Sequence, residues 1–491
     1  MKSDCSVEFF PKSLKKNAAL NMTKSVMSLI FPLITFPYVS RVLGPVYIGK
    51  VNFAQSVVSY FSLIAALGIS TYAVREAAKL REDKTALSSF IKEVFTLNLI
   101  STFVAYILFA VALFFLPQLS EYKKLLVICG ASILFITLGM DYLYTALEEF
   151  KYITIRSIAF QFLSLALLFI FVKNQNDYYK YAAISVISSV GSNLLNFFHA
   201  RKFIFFNIKG TFCIKKHLKP VFTLFAMSAA ISIYTVLDTT MLGLIKGDEA
   251  VGLYTAATKI NRMVLMMITA ATTVLLPRLS YYAGKENKLE FMRLSQKAMN
   301  FVIMFSLPCA VGLFILAEPV ILLFSGSQYI SSILAMQIMN AVIVLIGMSN
   351  VIGIQIFMSV GKEKITLYSV IAGALVNFCM NLLLIPRFGV NGAAIGTVCA
   401  EFCVTLVQFV AAKNYFNWKN LILHFVKVVL SAFLMSLCVF IVCRFTDSFT
   451  LKIIFGILVG IVVYALCLFL LRDSLFTEIF AQVVGKVKNR D

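Results

Sequence analysis

The sequence predicts an all-α polytopic membrane protein of about fourteen transmembrane helices: two six-helix lobes followed by a C-terminal helix pair. Three observations predict it. Apolar runs of about 20 residues, long enough to cross the hydrocarbon core as a helix, recur nearly end to end. The 491 residues are 60% hydrophobic and only 14% charged, where a soluble domain carries about 25% charge. Basic residues alternate from loop to loop: of 44 Lys and Arg, 30 fall in one alternating set of loops and 10 in the other. The remaining four, Lys24, Lys259, Arg262 and Lys427, lie within apolar runs. An excess of this kind marks the cytoplasmic side. It places both termini there and requires an even number of crossings.

The elements follow in order. The first run, 18–39, is too long for a signal-peptide core, lacks a small-residue cleavage site and carries Lys24, so it is expected to remain as the first helix. Short polar or basic stretches then separate runs at 51–70, 94–116, 124–147, 156–172 and 179–200. These six form the N-terminal lobe, residues 1–200. The longest basic stretch, 201–219, reads as a cytoplasmic linker. Runs at 220–244, 252–276, 297–317, 331–358, 365–385 and 391–411 form the C-terminal lobe, 220–411. Residues 412–491 hold two last helices, 424–444 and 451–471, and a cytoplasmic tail. Gly456 and Gly460 in the last helix permit close packing without specifying a partner.

The lobes echo each other. Leu43-Gly44-Pro45, Gly49 and Asn52-Phe53-Ala54-Gln55 between helices one and two correspond to Gly243, Gly252 and Thr255-Ala256-Ala257-Thr258 between helices seven and eight. Setting Gly49 on Gly252 aligns Asn52 with Thr255 and Gln55 with Thr258. A weaker third copy is Phe388-Gly389 through Gly392-Ala393-Ala394. Two repeats of the same topology are related by an axis along the membrane normal, and substrate sites in such transporters lie between them.

Stepping by threes and fours follows one helix face. Helix one then presents Asn17, Asn21, Lys24, Ser28 and Thr35, and helix two Asn52, Gln55, Ser59 and Ser62. Helix six presents Ser185, Ser189, Ser192, Asn196 and His199, and helix seven Ser228, Ser232, Thr235 and Asp238. Helix eight presents Thr255, Lys259, Arg262, Met266, Thr269 and Thr273. Individually, such Ser, Thr and Asn residues serve as helix–helix glue. Charges differ: an ionisable group near mid-membrane costs at least about 2.5–3.5 kcal/mol and belongs in a cavity or a pair. Lys24, Lys259 and Arg262 therefore point to a cationic cavity, lined by Asn21, Asn52, Gln55, Ser59 and Thr255. Pairing of one cation with Asp238 is the competing structural reading, and it leaves a cation over. Arg and Lys suit phosphate, and the amides and hydroxyls suit sugar hydroxyls. Asp141, Asp238 and Glu401 are the acidic candidates for coupling to an ion.

Other classes are disfavoured. The net charge of +21 would suit nucleic acid, but it is spread over alternate loops; these are solvated or touch anionic lipid heads. The ten Cys form no C-x-x-C pair and the three His no metal-ligand spacing. No P-loop, G-x-S-x-G or H-E-x-x-H occurs, and no cofactor is expected. A membrane glycan polymerase or ligase needs a large outer loop, whereas the outer loops here are about ten residues at most.

The chain resembles the Wzx-type polysaccharide or O-antigen repeat-unit flippases of the multidrug/oligosaccharidyl-lipid/polysaccharide (MOP) exporter superfamily. The likeness rests on Lys15-Lys16-Asn17, the run Pro37-Tyr38-Val39-Ser40-Arg41-Val42-Leu43-Gly44-Pro45, Phe53-Ala54-Gln55-Ser56, and Gly68-Ile69 before Arg75-Glu76. Gly252-Leu253-Tyr254, Leu276-Pro277-Arg278-Leu279-Ser280 and Asn391-Gly392-Ala393-Ala394 also fit. The resemblance implies a MATE-like V of two lobes around a cationic cavity, in a bacterial cytoplasmic membrane. It implies translocation of undecaprenyl-pyrophosphate-linked oligosaccharide by alternating access, coupled to a proton or sodium gradient, with the polyprenyl tail left in lipid. Glycan polymerase and chain-length machinery are the implied partners. Arg41 matches the family motif and joins the candidate ligands, although its place near a helix end also suits a loop anchor. A multidrug or metabolite antiporter of the same superfamily is the alternative; exporters of cationic drugs need acidic lumens, which the cationic residues here oppose.

Overall fold

The structure, a computed structural model, describes residues 14–205, 213–273, 275–285 and 287–488. All regular secondary structure among them is helical. The chain divides into two compact units, Met1–Gly252 and Leu253–Asp491.

The first unit is built around α1 (Leu14–Ala66), which packs against α3 (Lys84–Phe115), α4 (Lys123–Gly139), α6 (Phe150–Phe171) and α9 (Lys215–Lys246). It is two helices meeting at Gly44, where φ is 73° and ψ 174°. Glycine reaches that conformation without steric penalty, and the following Pro45 removes a helix hydrogen bond at the same point. α2 (Ile69–Lys79) packs against α5 (Asp141–Ala146) and α9. The remaining elements are α7 (Tyr178–Val186), a π-helical turn at Ile187–Gly191, and α8 (Asn193–His199). Asp83 caps α3 by accepting from the Thr85 and Ala86 amides at 2.8 and 2.9 Å.

α10 (Asp248–Thr273) carries the chain into the second unit. There α14 (Ile333–Asn350) packs against α12 (Lys288–Ile315) and α15 (Glu363–Ala411), and α16 (Trp418–Phe445) packs against α12 and α17 (Phe449–Leu470). Shorter helices are α11 (Leu276–Gly284), α13 (Ala317–Phe324) and the terminal α18 (Ser474–Lys488). α15 breaks at Gly389, where φ is 54°.

Ten of the described helices are long and apolar enough to cross a membrane, or eleven if the two segments of α9, bent by 41°, form one span. The expectation of fourteen differs for two reasons. The expected helix pairs one–two and eleven–twelve run on as α1 and α15, of 53 and 49 residues. A straight helix of 49 residues would be about 74 Å long, more than twice the hydrocarbon core. In addition α10 carries Asp248, Glu249, Lys259 and Arg262, which set it apart from the apolar helices. Outer faces are strongly apolar: α17 exposes Ile461, Val462, Leu466 and Leu470. Surfaces of that extent need lipid.

Candidate functional site

In the first unit the polar stripes of α1 and α9 meet. Ser59 and Ser62 of α1 and Ser228, Ser232 and Thr235 of α9 line a cavity of about 360 Å³ with Tyr60, Ser70 and Thr71. The three-four spacing puts each set on one helix face, and the packing of α1 on α9 turns those faces together. No charged residue is among its lining. Ser59 donates to the Ser56 carbonyl at 2.6 Å and Thr235 to the Ser232 carbonyl at 2.9 Å. A hydroxyl whose proton is held by the backbone offers its lone pairs to a ligand, so the wall leans toward accepting. Tyr60 and Thr240 bond at 3.1 Å, and Thr240 donates to Ser56 at 3.1 Å, closing one side of the layer. The cavity is uncharged, and its hydroxyl oxygens stand among the apolar side chains of Leu63, Ala66, Ile136 and Val236.

Along α1 from this cavity, toward its Gly44 break, two glycines hold backbone against backbone. A Cβ added to Gly49 would fall 1.7 Å from the Asp248 carbonyl oxygen, and one added to Gly252 would fall 1.9 Å from the Pro45 carbonyl oxygen. The contact is reciprocal. The register that sets Gly49 on Gly252 also sets Pro45 on Asp248, so each glycine meets the carbonyl that corresponds to the one the other meets. Asp248 is pinned beside it: Tyr122 donates to its Oδ1 at 2.6 Å, and Lys50 approaches to 3.8 Å. Phe53 covers Gly243 and meets the Tyr122 ring at a tilt of 55°, with the centroids 4.8 Å apart.

The expected site residues are distributed as follows. On α1, Lys24 and Gln55 are half-buried, and Asn52 is half-buried with its amide donating to the Ile48 carbonyl at 2.8 Å. The Asn21 side chain lies outside the described residues. Arg41 is exposed and donates to the Pro37 carbonyl at 3.2 Å, within its own helix. In the second unit the predicted face of α10 is the accessible one. Thr255, Lys259 and Thr269 are half-buried and Arg262 and Met266 exposed, while Ala256, Ala257, Ile260, Asn261 and Met263 pack inward. Asp238 and Glu401 are buried. Asp141 is half exposed and bonded: Arg156 donates to its Oδ1 at 3.1 Å and Asn196 at 2.9 Å.

Three buried polar clusters were not legible in the sequence. Arg156, at the start of the predicted run 156–172, is only 7% exposed; besides Asp141 it serves the Ser192 carbonyl and Asn193 Oδ1. Glu93 of α3 receives Lys216 at 2.7 Å and His217 at 2.8 Å from the start of α9, and His217 also meets Tyr72 at 2.7 Å. His424 of α16 bonds Asp473 at 2.7 Å and the Asn300 carbonyl at 2.9 Å. Both of its ring nitrogens face oxygen atoms. His217 and Glu93 are separated by 124 positions and His424 and Asp473 by 49, which no local spacing rule spans. Burial leaves the Asp473 carboxyl with a raising influence, but the bond to His424 and the amides of Phe476 and Leu475 outweigh it and hold the carboxyl below its ordinary range.

Helices of this length and apolarity around a hydroxyl-lined cavity define a multi-pass membrane protein. The profile of the family described as polysaccharide biosynthesis protein matches residues 14–283, more than half of the chain, and the MatE profile matches residues 224–383. The chain belongs to the polysaccharide biosynthesis protein family. It is 26% identical over 419 residues to an Escherichia coli (strain K12) protein provisionally named as an O-antigen transporter, covering 82% of this chain and 97% of that one. It is 23% identical over 413 residues to the capsular polysaccharide biosynthesis protein CapF of Staphylococcus aureus, covering 82% and 98%. In fold it is similar to the lipid II flippase MurJ in an inward closed conformation, with a TM-score of 0.73, 20% identity, and coverage of 96% of this chain and 99% of that one.

Proposed function

We propose that this protein is a flippase, not an enzyme, that moves undecaprenyl-pyrophosphate-linked oligosaccharide repeat units across the bacterial cytoplasmic membrane by alternating access, for assembly of O-antigen, capsule or exopolysaccharide. The observation that carries this reading is the accessible face of α10. Lys259 and Arg262 sit three residues apart with Thr255 and Thr269 on a face left out of the packed interior. Two cations held there meet a pyrophosphate, which Arg engages through paired donors. The uncharged, hydroxyl-lined cavity of the first unit suits the sugars. The relatives' association with O-antigen and capsule supports a glycan cargo.

Counting Gly44 and Gly389 as turns outside the bilayer, α9 as one broken span and α10 as a polar one brings the crossings to fourteen. That even number goes with cytoplasmic termini and with two six-helix repeats, 1–200 and 220–411, followed by a helix pair. The reciprocal Gly49–Gly252 contact supports the correspondence between the repeats. Asp238 and Glu401, buried in the bundle, are the acids for ion coupling; Asp141, tied to Arg156, is structural in this arrangement. The chain hands its cargo to a glycan polymerase and chain-length machinery. The MatE match over 224–383 favours one second reading, an ion-coupled multidrug or metabolite antiporter. Replacing Lys259 and Arg262 together by Ala separates the two. Export of surface glycan is abolished while the protein still inserts; normal export by the double variant would remove the cationic site.

A further inference from the structure

A cavity of about 840 Å³ opens in the second unit, where α12, α16 and α18 begin. Its lining brings together Lys288, Arg293, Lys297 and Lys427 against two acids, Asp473 and Glu478. Asp473 is engaged by His424 and by the α18 amides that it caps. Glu478 meets Lys297 at 2.6 Å in a pair open to solvent. Arg293 is also paired with Glu290 at 3.1 Å, so the excess of positive charge in the cavity rests on Lys288 and Lys427. Three helices of 28, 28 and 15 residues direct their N-terminal ends into it, adding the positive ends of their dipoles.

The level of the cavity identifies its ligand. Two candidate spans, Lys288–Ile315 and Trp418–Phe445, begin here, and a third, Phe449–Leu470, ends here. The cavity therefore sits at headgroup depth, and basic pockets between transmembrane helices at that depth take phospholipid heads. Its rim is apolar: Leu289 is 75% and Leu423 56% exposed, continuous with the lipid-facing sides of α16 and α17. We propose that this cavity binds the phosphate of an anionic phospholipid, with the acyl chains along α16 and α17. The site is separate from the cationic face of α10 and stands whether or not the chain is a flippase. The bound phosphate ties α18 and the last helix pair to α12 through Lys427, Lys288 and Lys297.

The test is native mass spectrometry of the purified full-length protein titrated with phosphatidylglycerol or phosphatidylcholine. Phosphatidylglycerol is expected to be retained in preference. Lys288→Gln with Lys427→Gln weakens it about 30-fold, at roughly fivefold per basic side chain near a membrane surface. Glu478→Gln, which removes the acid competing for Lys297 in a solvent-open pair, tightens it. Arg201→Gln with Lys202→Gln, an equal loss of charge elsewhere, leaves it unchanged. Equal retention of both lipids, or equal loss in the control variant, would overturn the proposal. Displacement of the lipid by excess inorganic phosphate would reassign the cavity to a soluble anion and overturn the lipid assignment.

Discussion

Replacing Gly252 or Gly49 by Ala should prise open the contact that closes α1 against the start of α10. The added Cβ would stand 1.9 Å from the Pro45 oxygen in one case and 1.7 Å from the Asp248 oxygen in the other, where ordinary contact begins at 3.4 Å. Both obstacles are backbone, so no side chain can swing aside, and the two segments must part by about 1.5 Å. Overpacking of this kind costs about 1–3 kcal/mol. The gain in helix propensity from Gly to Ala applies to the open and closed arrangements alike and cancels between them. The closed arrangement should therefore lose about 5- to 150-fold in population. Spin labels at Val46 and Glu249, both exposed beside the contact, read its separation. With the native cysteines replaced, each variant is expected to move the distance distribution outward and the double variant further still. Distributions that superimpose on the unmodified glycines would refute the contact as a closure.

Other outcomes follow from the buried clusters and the cavity. Arg156→Leu leaves the Asn193 and Ser192 acceptors without a donor and should lower stability by about 1–3 kcal/mol, read as a lower thermal midpoint in detergent; Arg156→Lys should recover little, since one ammonium cannot span those acceptors. Asp473 is held below its ordinary value of 3.8, so its contribution is complete above that pH and disappears as pH falls through the lower folded value. The difference in thermal midpoint between the wild type and Asp473→Asn should accordingly shrink as pH falls below about 5. Ser232→Phe fills the hydroxyl-lined cavity and should stop glycan export while leaving insertion intact, measured by surface staining against the amount of protein in the membrane.

The sequence carried the fold class because bilayer thickness imposes a length on every span, and that length is visible as rhythm. It carried the α1 and α9 stripes for a related reason: periodicity of 3.6 fixes which residues share a face, and Ser59, Ser62, Ser228 and Ser232 do line one cavity. It also singled out Gly49 and Gly252 as corresponding positions, but not that they touch; correspondence is local and contact is not. The breaks at Gly44 and Gly389 were visible as Gly-Pro and Phe-Gly signals, yet whether helices stop or bend there depends on φ, which composition does not state. The role of Arg156 was hidden because the end of an apolar run looks the same whether its cation reaches water or turns inward to Asp141. The two histidine pairs were hidden because their partners come from distant helices.

The central claim, translocation of a lipid-linked glycan, is tested most directly by deleting the gene in the source bacterium, extracting its lipids and staining its surface for polysaccharide. The account predicts that a completed polyprenyl-pyrophosphate-linked oligosaccharide accumulates while surface glycan disappears, and that the intact gene reverses both. Surface glycan at its normal level with no accumulation, in a strain without a second flippase, would contradict it.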